Sequence, residues 1–114
     1  MTELLGIARF KFNEGKLEEY KRLSAQAMDI VRTKDSGTLQ YDTYFNDDES
    51  QAIVLERFRD SDALILHGQN MAPLMDAIMA TADVSGELLG DPNEQLRAQL
   101  AGSPVGLFAL YQAL

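Results

Sequence analysis

The order of the hydrophobic patterns along the chain is the feature that most limits what it can fold into. Alternating apolar and polar residues, typical of strands, occur at residues 3–12, 38–45, 51–58 and 82–89. Apolar residues three and four positions apart, typical of amphipathic helices, occur at 16–34 and 64–78. The resulting order β-α-β-β-α-β predicts an α+β fold of the ferredoxin-like, split β-α-β type.

Short-range signals support the boundaries of these segments. Gly37 provides a turn after the first helix, and the acidic run 46–50 predicts a solvated hairpin turn between the second and third strands. Asp60 or Ser61 is suited to cap the second helix. Pro73 lies inside that helix and lacks an amide proton, so we expect a kink or a break into two pieces near Ala72.

The region after the fourth strand predicts one more helix and one more strand. Gly90 ends the strand, and the run Asp91-Pro92-Asn93-Glu94 offers a cap, a proline at the first helical position and a capping-box glutamate. Gly102 would stop this short helix. The continuously apolar segment 105–110 predicts a fifth strand.

Length and composition limit the class of protein. With 114 residues, the chain has room for a single domain, 1–114, and for a modest core. A formal net charge of -8 argues against a nucleic-acid partner, and no apolar run is long enough for a membrane span. The absence of cysteine excludes thiol chemistry, and the N-terminus shows no secretory pattern, so we expect a cytoplasmic protein.

Two of the predicted strands are apolar on both faces, and this predicts a homodimer. The first strand carries Leu5 and Ile7 on one face and Phe10 on the other, and the third strand behaves alike. Right-handed crossovers place both helices on one side of the sheet, so the other side stays bare. A second copy packed face to face is the simplest cover for such a surface. We expect the final strand to cross to that copy; the competing account is that the third helix covers its own sheet.

His67 and Glu56 are the strongest candidates for chemistry. His67 is the only histidine and lies on the apolar stripe of the second helix, either as a core residue or as an imidazole facing a pocket. In a pocket, burial would hold it neutral near pH 7, so that it could act as a base. Glu56 lies in an otherwise apolar strand, either at a wet rim or in contact with His67, which would satisfy both groups.

Other residues would complete such a pocket. Phe10, Tyr41, Asn70 and Met71 are the predicted substrate-binding residues, and no metal-ligand or phosphate-binding motif is present.

Three features of the sequence carry a family resemblance: the order of the elements, the segment Asp35-Ser36-Gly37-Thr38-Leu39-Gln40-Tyr41, and the segment from Leu55 to Ala63 followed by Leu66-His67. In these features the chain resembles the antibiotic biosynthesis monooxygenase family. The resemblance implies a dimeric α/β barrel with a pocket between helices and sheet in each subunit. His67 and Glu56 match the family's recurring histidine and strand-end glutamate. No tryptophan occurs, which disfavours the haem-degrading relatives.

The resemblance implies oxygenation of a small aromatic or quinol-type substrate with no metal or flavin cofactor, with His67 as the base. Such an enzyme needs a substrate whose anion can itself reduce O₂, so the protein has only to deprotonate and enclose it. Two alternatives remain on the same fold. One is an isomerase of a small carbonyl compound, and the other is a non-catalytic, small-ligand-binding or stress-response dimer.

Overall fold

A computed structural model describes residues 3–114 and contains one mixed sheet with helices on one side. The elements, in chain order, are β1 (Leu4–Phe12), α1 (Leu17–Lys34), β2 (Thr38–Phe45), β3 (Gln51–Phe58), α2 (Ser61–Met79), β4 (Ala82–Leu89), α3 (Glu94–Leu100) and β5 (Gly106–Phe108). No helix within this described range is both long enough and apolar enough to cross a membrane.

The sheet has the strand order β2-β3-β1-β4-β5. The pairs β2–β3, β3–β1 and β1–β4 are antiparallel, whereas β5 runs parallel to β4. The two long helices are the crossovers of the two β-α-β units. This is the α+β, ferredoxin-like arrangement that the sequence predicts.

The main core fills the space between the sheet and the two long helices. Alternate residues of β1 and β3, including Phe10 and Val54, point toward Leu23 and Ala27 of α1 and Met71 of α2. At one end the rings of Phe12 and Tyr20 lie 4.7 Å apart between centroids. Burial of these apolar side chains fixes the strand register, since a shift by one residue would turn them to the other face.

A second, smaller core lies under α3. Leu96 packs against Leu4 and Leu88, which belong to the helix-covered face of the sheet. The short helix therefore extends the existing helix layer, and the account in which it covers the opposite face is wrong.

The opposite face of the sheet carries Leu5 and Ile7 of β1, and next to them Leu55 and Ile53 of the paired strand β3. Ion pairs flank this apolar strip, among them Arg9–Glu87 at 3.1 Å. No element within residues 3–114 covers it in the single chain.

Two local predictions are wrong. Helix α2 is continuous from Ser61 to Met79, so Pro73 does not break it. The carbonyl that Pro73 leaves without a partner belongs to exposed Gln69, which water can reach. Asn93, and not Asp91, caps α3, because its side chain accepts a hydrogen bond from the Leu96 amide.

The prediction for the last strand needs correction too. It spans three residues instead of 105–110, and it pairs with Glu87–Leu89 of its own chain. It therefore does not cross to a second copy.

Candidate functional site

A cavity of about 130 Å³ lies between the sheet and the two long helices. Its walls are mostly apolar, and Glu56 and His67 are the ionisable carboxylate and imidazole among them. Of the predicted pocket residues, the structure places Phe10, Tyr41 and Met71 in the lining. Asn70 does not line it.

His67 reaches the cavity because α2 turns one buried stripe toward the sheet. The helix starts at Asp60, whose side chain accepts a hydrogen bond from the Ala63 amide. From there, Ala63, His67 and Met71 follow at intervals of four residues and are all buried. This spacing places the three on one helical face.

Both ring nitrogens of His67 contact carboxylates. Nδ1 lies 2.5 Å from Oδ2 of Asp35, and Nε2 lies 3.2 Å from Oε1 of Glu56. The predicted contact between His67 and Glu56 is therefore present. With both nitrogens engaged, the imidazole has no free nitrogen directed at the cavity.

Asp35 is the site residue that the sequence analysis missed. Its side chain is 1% exposed and accepts hydrogen bonds from Thr38 Oγ1 at 3.0 Å and Asn70 Nδ2 at 2.7 Å. A carboxylate directly after a helix is electrostatically disfavoured by the negative end of the helix dipole. That unfavourable position was the available signal that Asp35 has a specific partner.

Gly37 allows the segment carrying Asp35 to approach α2. A Cβ atom at this position would lie 2.5 Å from the Cβ of Ala63, much closer than two carbons can pack. Only glycine lets the turn between α1 and β2 come this near. The close approach brings Asp35 within reach of His67.

Glu56 is held by the strand alternation. It lies between Val54 and Phe58 on the helix-covered face of β3, opposite Gly6 of β1 in the register. Its side chain is 19% exposed and lines the cavity. Of the three ionisable groups, Glu56 is thus the one that a bound molecule would meet.

The two carboxylates shift the pKa of His67. Burial by itself lowers the pKa of His67, but the hydrogen bonds and negative charges of Glu56 and Asp35 outweigh it and raise the pKa above its ordinary value of 6.5. The pKa of His67 thus shifts in the direction opposite to the one expected from burial alone. The two flanking carboxylates therefore favour the protonated form of His67.

Two tyrosines in the lining stay protonated. Burial, together with the negative charge of Glu56, raises the pKa of Tyr41 well above its ordinary range. Burial likewise raises the pKa of Tyr20 to about 12. The ring of Tyr41 lies 5.6 Å from that of His67 between centroids. Both phenols are available only as neutral hydrogen-bonding groups near pH 7.

The arrangement is suited to moving a proton and not to holding a metal. His67 lies between Asp35 and Glu56 and contacts both carboxylates. No cluster of potential metal ligands occurs in the range 3–114. Every buried side-chain nitrogen and oxygen in that range has a hydrogen-bond partner.

Comparison with known proteins identifies the family. The sequence pattern described as "Antibiotic biosynthesis monooxygenase" matches residues 5–79, and no match was found among curated proteins. The structure is similar to MupZ from Pseudomonas fluorescens, with a TM-score of 0.87, 26% identity and coverage of 100% of this chain and 94% of that one.

Two more distant structures share the fold. SnoaB, a cofactor-independent oxygenase from Streptomyces nogalater, has a TM-score of 0.69, 16% identity and coverage of 82% of this chain and 96% of that one. A conserved protein from Methanosarcina mazei has a TM-score of 0.70, 15% identity and coverage of 77% and 91%. The match over residues 5–79, more than half of the chain, shows that the chain belongs to the antibiotic biosynthesis monooxygenase family.

Proposed function

We propose that this protein is a cofactor-independent monooxygenase that deprotonates a small aromatic or quinol-type substrate and exposes the resulting anion to O₂. The observation that carries the proposal is a single carboxylate, Glu56, that faces an apolar cavity and contacts His67, which in turn contacts the buried carboxylate of Asp35. Family membership supports the same reaction class, and SnoaB, described as a cofactor-independent oxygenase, shares the fold.

Glu56 is the base in this proposal, and His67 is a positioning residue. The sequence suggested His67 as the base, but both of its nitrogens contact carboxylates. Its Nε2–H donates to Glu56 and holds that carboxylate toward the cavity. When Glu56 accepts the proton of the substrate, the positive charge on His67 remains balanced by Asp35.

The chemistry after proton removal belongs to the substrate. An electron-rich carbanion or phenolate transfers one electron to O₂, and the two radicals combine to form a carbon–peroxide bond. Loss of water then leaves a carbonyl group, so one oxygen atom enters the product and the other leaves as water with two substrate hydrogens. The apolar walls provided by Phe10 and Met71 keep bulk water away from the anion.

The working form in this proposal is a homodimer. The apolar strip of Leu5, Ile7, Ile53 and Leu55 lies on the sheet face opposite the helices. A second copy on that face would remove the strip from water without blocking the cavity, which lies on the other side of the sheet.

The neutral phenol of Tyr41 favours one second candidate, an isomerase of a small carbonyl compound. Proton abstraction next to a carbonyl needs a base and a hydrogen-bond donor to the developing oxyanion. Glu56 and Tyr41 both line the cavity and provide that pair. In this case the proton returns to another carbon, and O₂ is not consumed.

Oxygen uptake with hydroquinones and polyphenols tests the proposal. A positioned base contributes roughly 10²–10⁴-fold to such a reaction, so Glu56→Gln should reduce the rate by at least about 100-fold. Glu14→Gln, at an exposed loop position, is the matched control and should retain full activity. His67→Ala should lower the rate as well, because Glu56 loses its orienting donor.

Three outcomes are informative. Equal uptake by wild type and Glu56→Gln would remove the catalytic role of this site. No uptake, combined with Glu56-dependent exchange of substrate hydrogen for deuterium from D₂O, would favour the isomerase. Neither uptake nor exchange with any compound would favour a binding protein.

A further inference from the structure

A second apolar compartment lies beside the Glu56 cavity, on the same side of the sheet. Its volume is about 330 Å³, which is within the roughly 300–1,000 Å³ range of small-molecule sites. Ala8, Glu56, Met79 and Val84 line both spaces. Glu56 is the ionisable residue among these four, so the proposed base stands where the two spaces meet.

The floor of this compartment is open because two strands carry glycine there. A Cβ at Gly86 would lie 2.7 Å from the Ile7 carbonyl oxygen, so close strand contact requires glycine at this position. Gly6 differs, because the nearest atom to a Cβ there would be 3.6 Å away, an ordinary contact. Packing therefore does not demand glycine at position 6, and its effect is to leave volume open.

The far wall comes from the C-terminal part of the chain. Leu100, Pro104 and Val105 line the compartment, and all three lie beyond residue 79, where the family match ends. The compartment is therefore built partly by a segment outside the matched region. A segment of this kind can set specificity while the Glu56 cavity keeps its own chemistry.

The charge of the walls indicates what fits. Glu56 is the residue that presents a carboxylate to the compartment, because the Glu87 side chain lies on the opposite face of the sheet, where it pairs with Arg9 at 3.1 Å. The remaining lining residues are uncharged and mostly apolar. An ionised or strongly polar ligand group would lose hydration there without a partner.

We infer that this compartment binds an uncharged hydrocarbon chain of the substrate whose acidic group meets Glu56. The chain binds here whether or not the bound molecule reacts; only the identification of the molecule as substrate rests on the proposed function. The specificity residues are Gly6 on the floor and Val105 on the far wall.

Calorimetric titration with 4-alkylphenols, from methyl to hexyl, tests the inference. Wild-type affinity should rise about fourfold for each added methylene until the compartment is full. Gly6→Val fills the floor, and Val105→Phe fills the space from the opposite wall. In both variants the affinity should stop rising at a shorter chain than in wild type. Gly6→Ala is the matched control. It adds the least volume, so it should least shorten the range of chain lengths over which the affinity rises.

Two results would overturn the inference. One is wild-type affinity that does not change with chain length, which would leave the compartment as space for protein, such as the exposed C-terminal segment of a second copy. The other is an affinity that rises with chain length in Val105→Phe just as it does in wild type. This second comparison can still be made if Gly6→Val fails to fold. Neither result depends on turnover, so absent oxygen uptake with a normal chain-length rise would count against the proposed function alone.

Discussion

Asp35 and His67 are 32 positions apart in the sequence and meet through a 2.5 Å contact between Oδ2 and Nδ1. This contact joins the end of α1 to the middle of α2. It also fixes the plane of the imidazole, so that Nε2 is directed at Glu56 on β3. Asp35 therefore links the two helices and also orients the imidazole of His67, which contacts the proposed base, Glu56.

His67 should titrate at a raised pKa, and this can be measured directly. It is the only histidine in the chain, so the two carbon-bound ring protons that titrate in the NMR spectrum can be assigned to it directly. We expect a wild-type midpoint above 6.5, because the two carboxylates outweigh the effect of burial on the pKa. Asp35→Asn and Glu56→Gln should each lower the midpoint, whereas Asp29→Asn, on the exposed face of α1, should not. A wild-type midpoint below 6.5 would contradict the raised pKa.

The same shift predicts how stability depends on pH. The pKa of His67 is higher in the folded state than its ordinary value of 6.5, so the folded state binds the proton more tightly. The resulting stabilisation is fully present below about pH 6.5 and is lost as the pH rises through the folded-state value. Urea unfolding should therefore show the largest excess of wild-type stability over His67→Gln at pH 6 or below. An excess that grows with rising pH would show the opposite linkage.

The sequence predicted the strands well because their patterns are local. The bounds 38–45, 51–58 and 82–89 agree with β2, β3 and β4, since alternation and turn residues mark both ends. Pro73 was misleading because its effect depends on whether the carbonyl one turn earlier is buried. The carbonyl belongs to exposed Gln69, and that exposure is a property of the tertiary structure.

The candidate site was only partly predictable, because part of it also depends on the tertiary structure. Glu56 and His67 stand out as polar residues in apolar patterns, and the contact between them, one of the two alternatives for Glu56, is present at 3.2 Å. Asp35 lies in a polar turn, where an aspartate is ordinary, and its burial follows from the close approach at Gly37. The raised pKa of His67 could not be deduced without this second carboxylate.

Replacing Gly37 by alanine should destabilise the protein. The new Cβ would lie 2.5 Å from the Cβ of Ala63, so the turn and α2 must separate. Such overpacking costs about 1–3 kcal/mol. The second change Ala63→Gly should restore part of the loss, because it removes the atom that the new methyl group meets. Thermal or urea unfolding of both variants provides the measurement.

Gly68→Ala is the control for that substitution. This glycine lies in α2, and no atom would lie within 4 Å of its Cβ. Alanine should therefore stabilise the helix by up to about 1 kcal/mol. Equal destabilisation at positions 37 and 68 would mean that backbone freedom, and not the contact with Ala63, explains the loss at Gly37.

The open sheet face should hold a second copy of the chain, and one side chain tests this. Ile53 is 37% exposed and lies beside Tyr44 and Arg9 in the register of the sheet. Lysine at this position remains solvated in a single chain but would be buried without a partner in a face-to-face dimer. Sedimentation analysis at micromolar concentration should therefore show a dimer for wild type and a monomer for Ile53→Lys. Ala25→Lys, on the exposed side of α1, adds the same charge and should leave the dimer intact. A monomeric wild type would leave the apolar strip uncovered and would refute the proposed assembly, whereas the Glu56 cavity, on the opposite side of the sheet, would be unaffected.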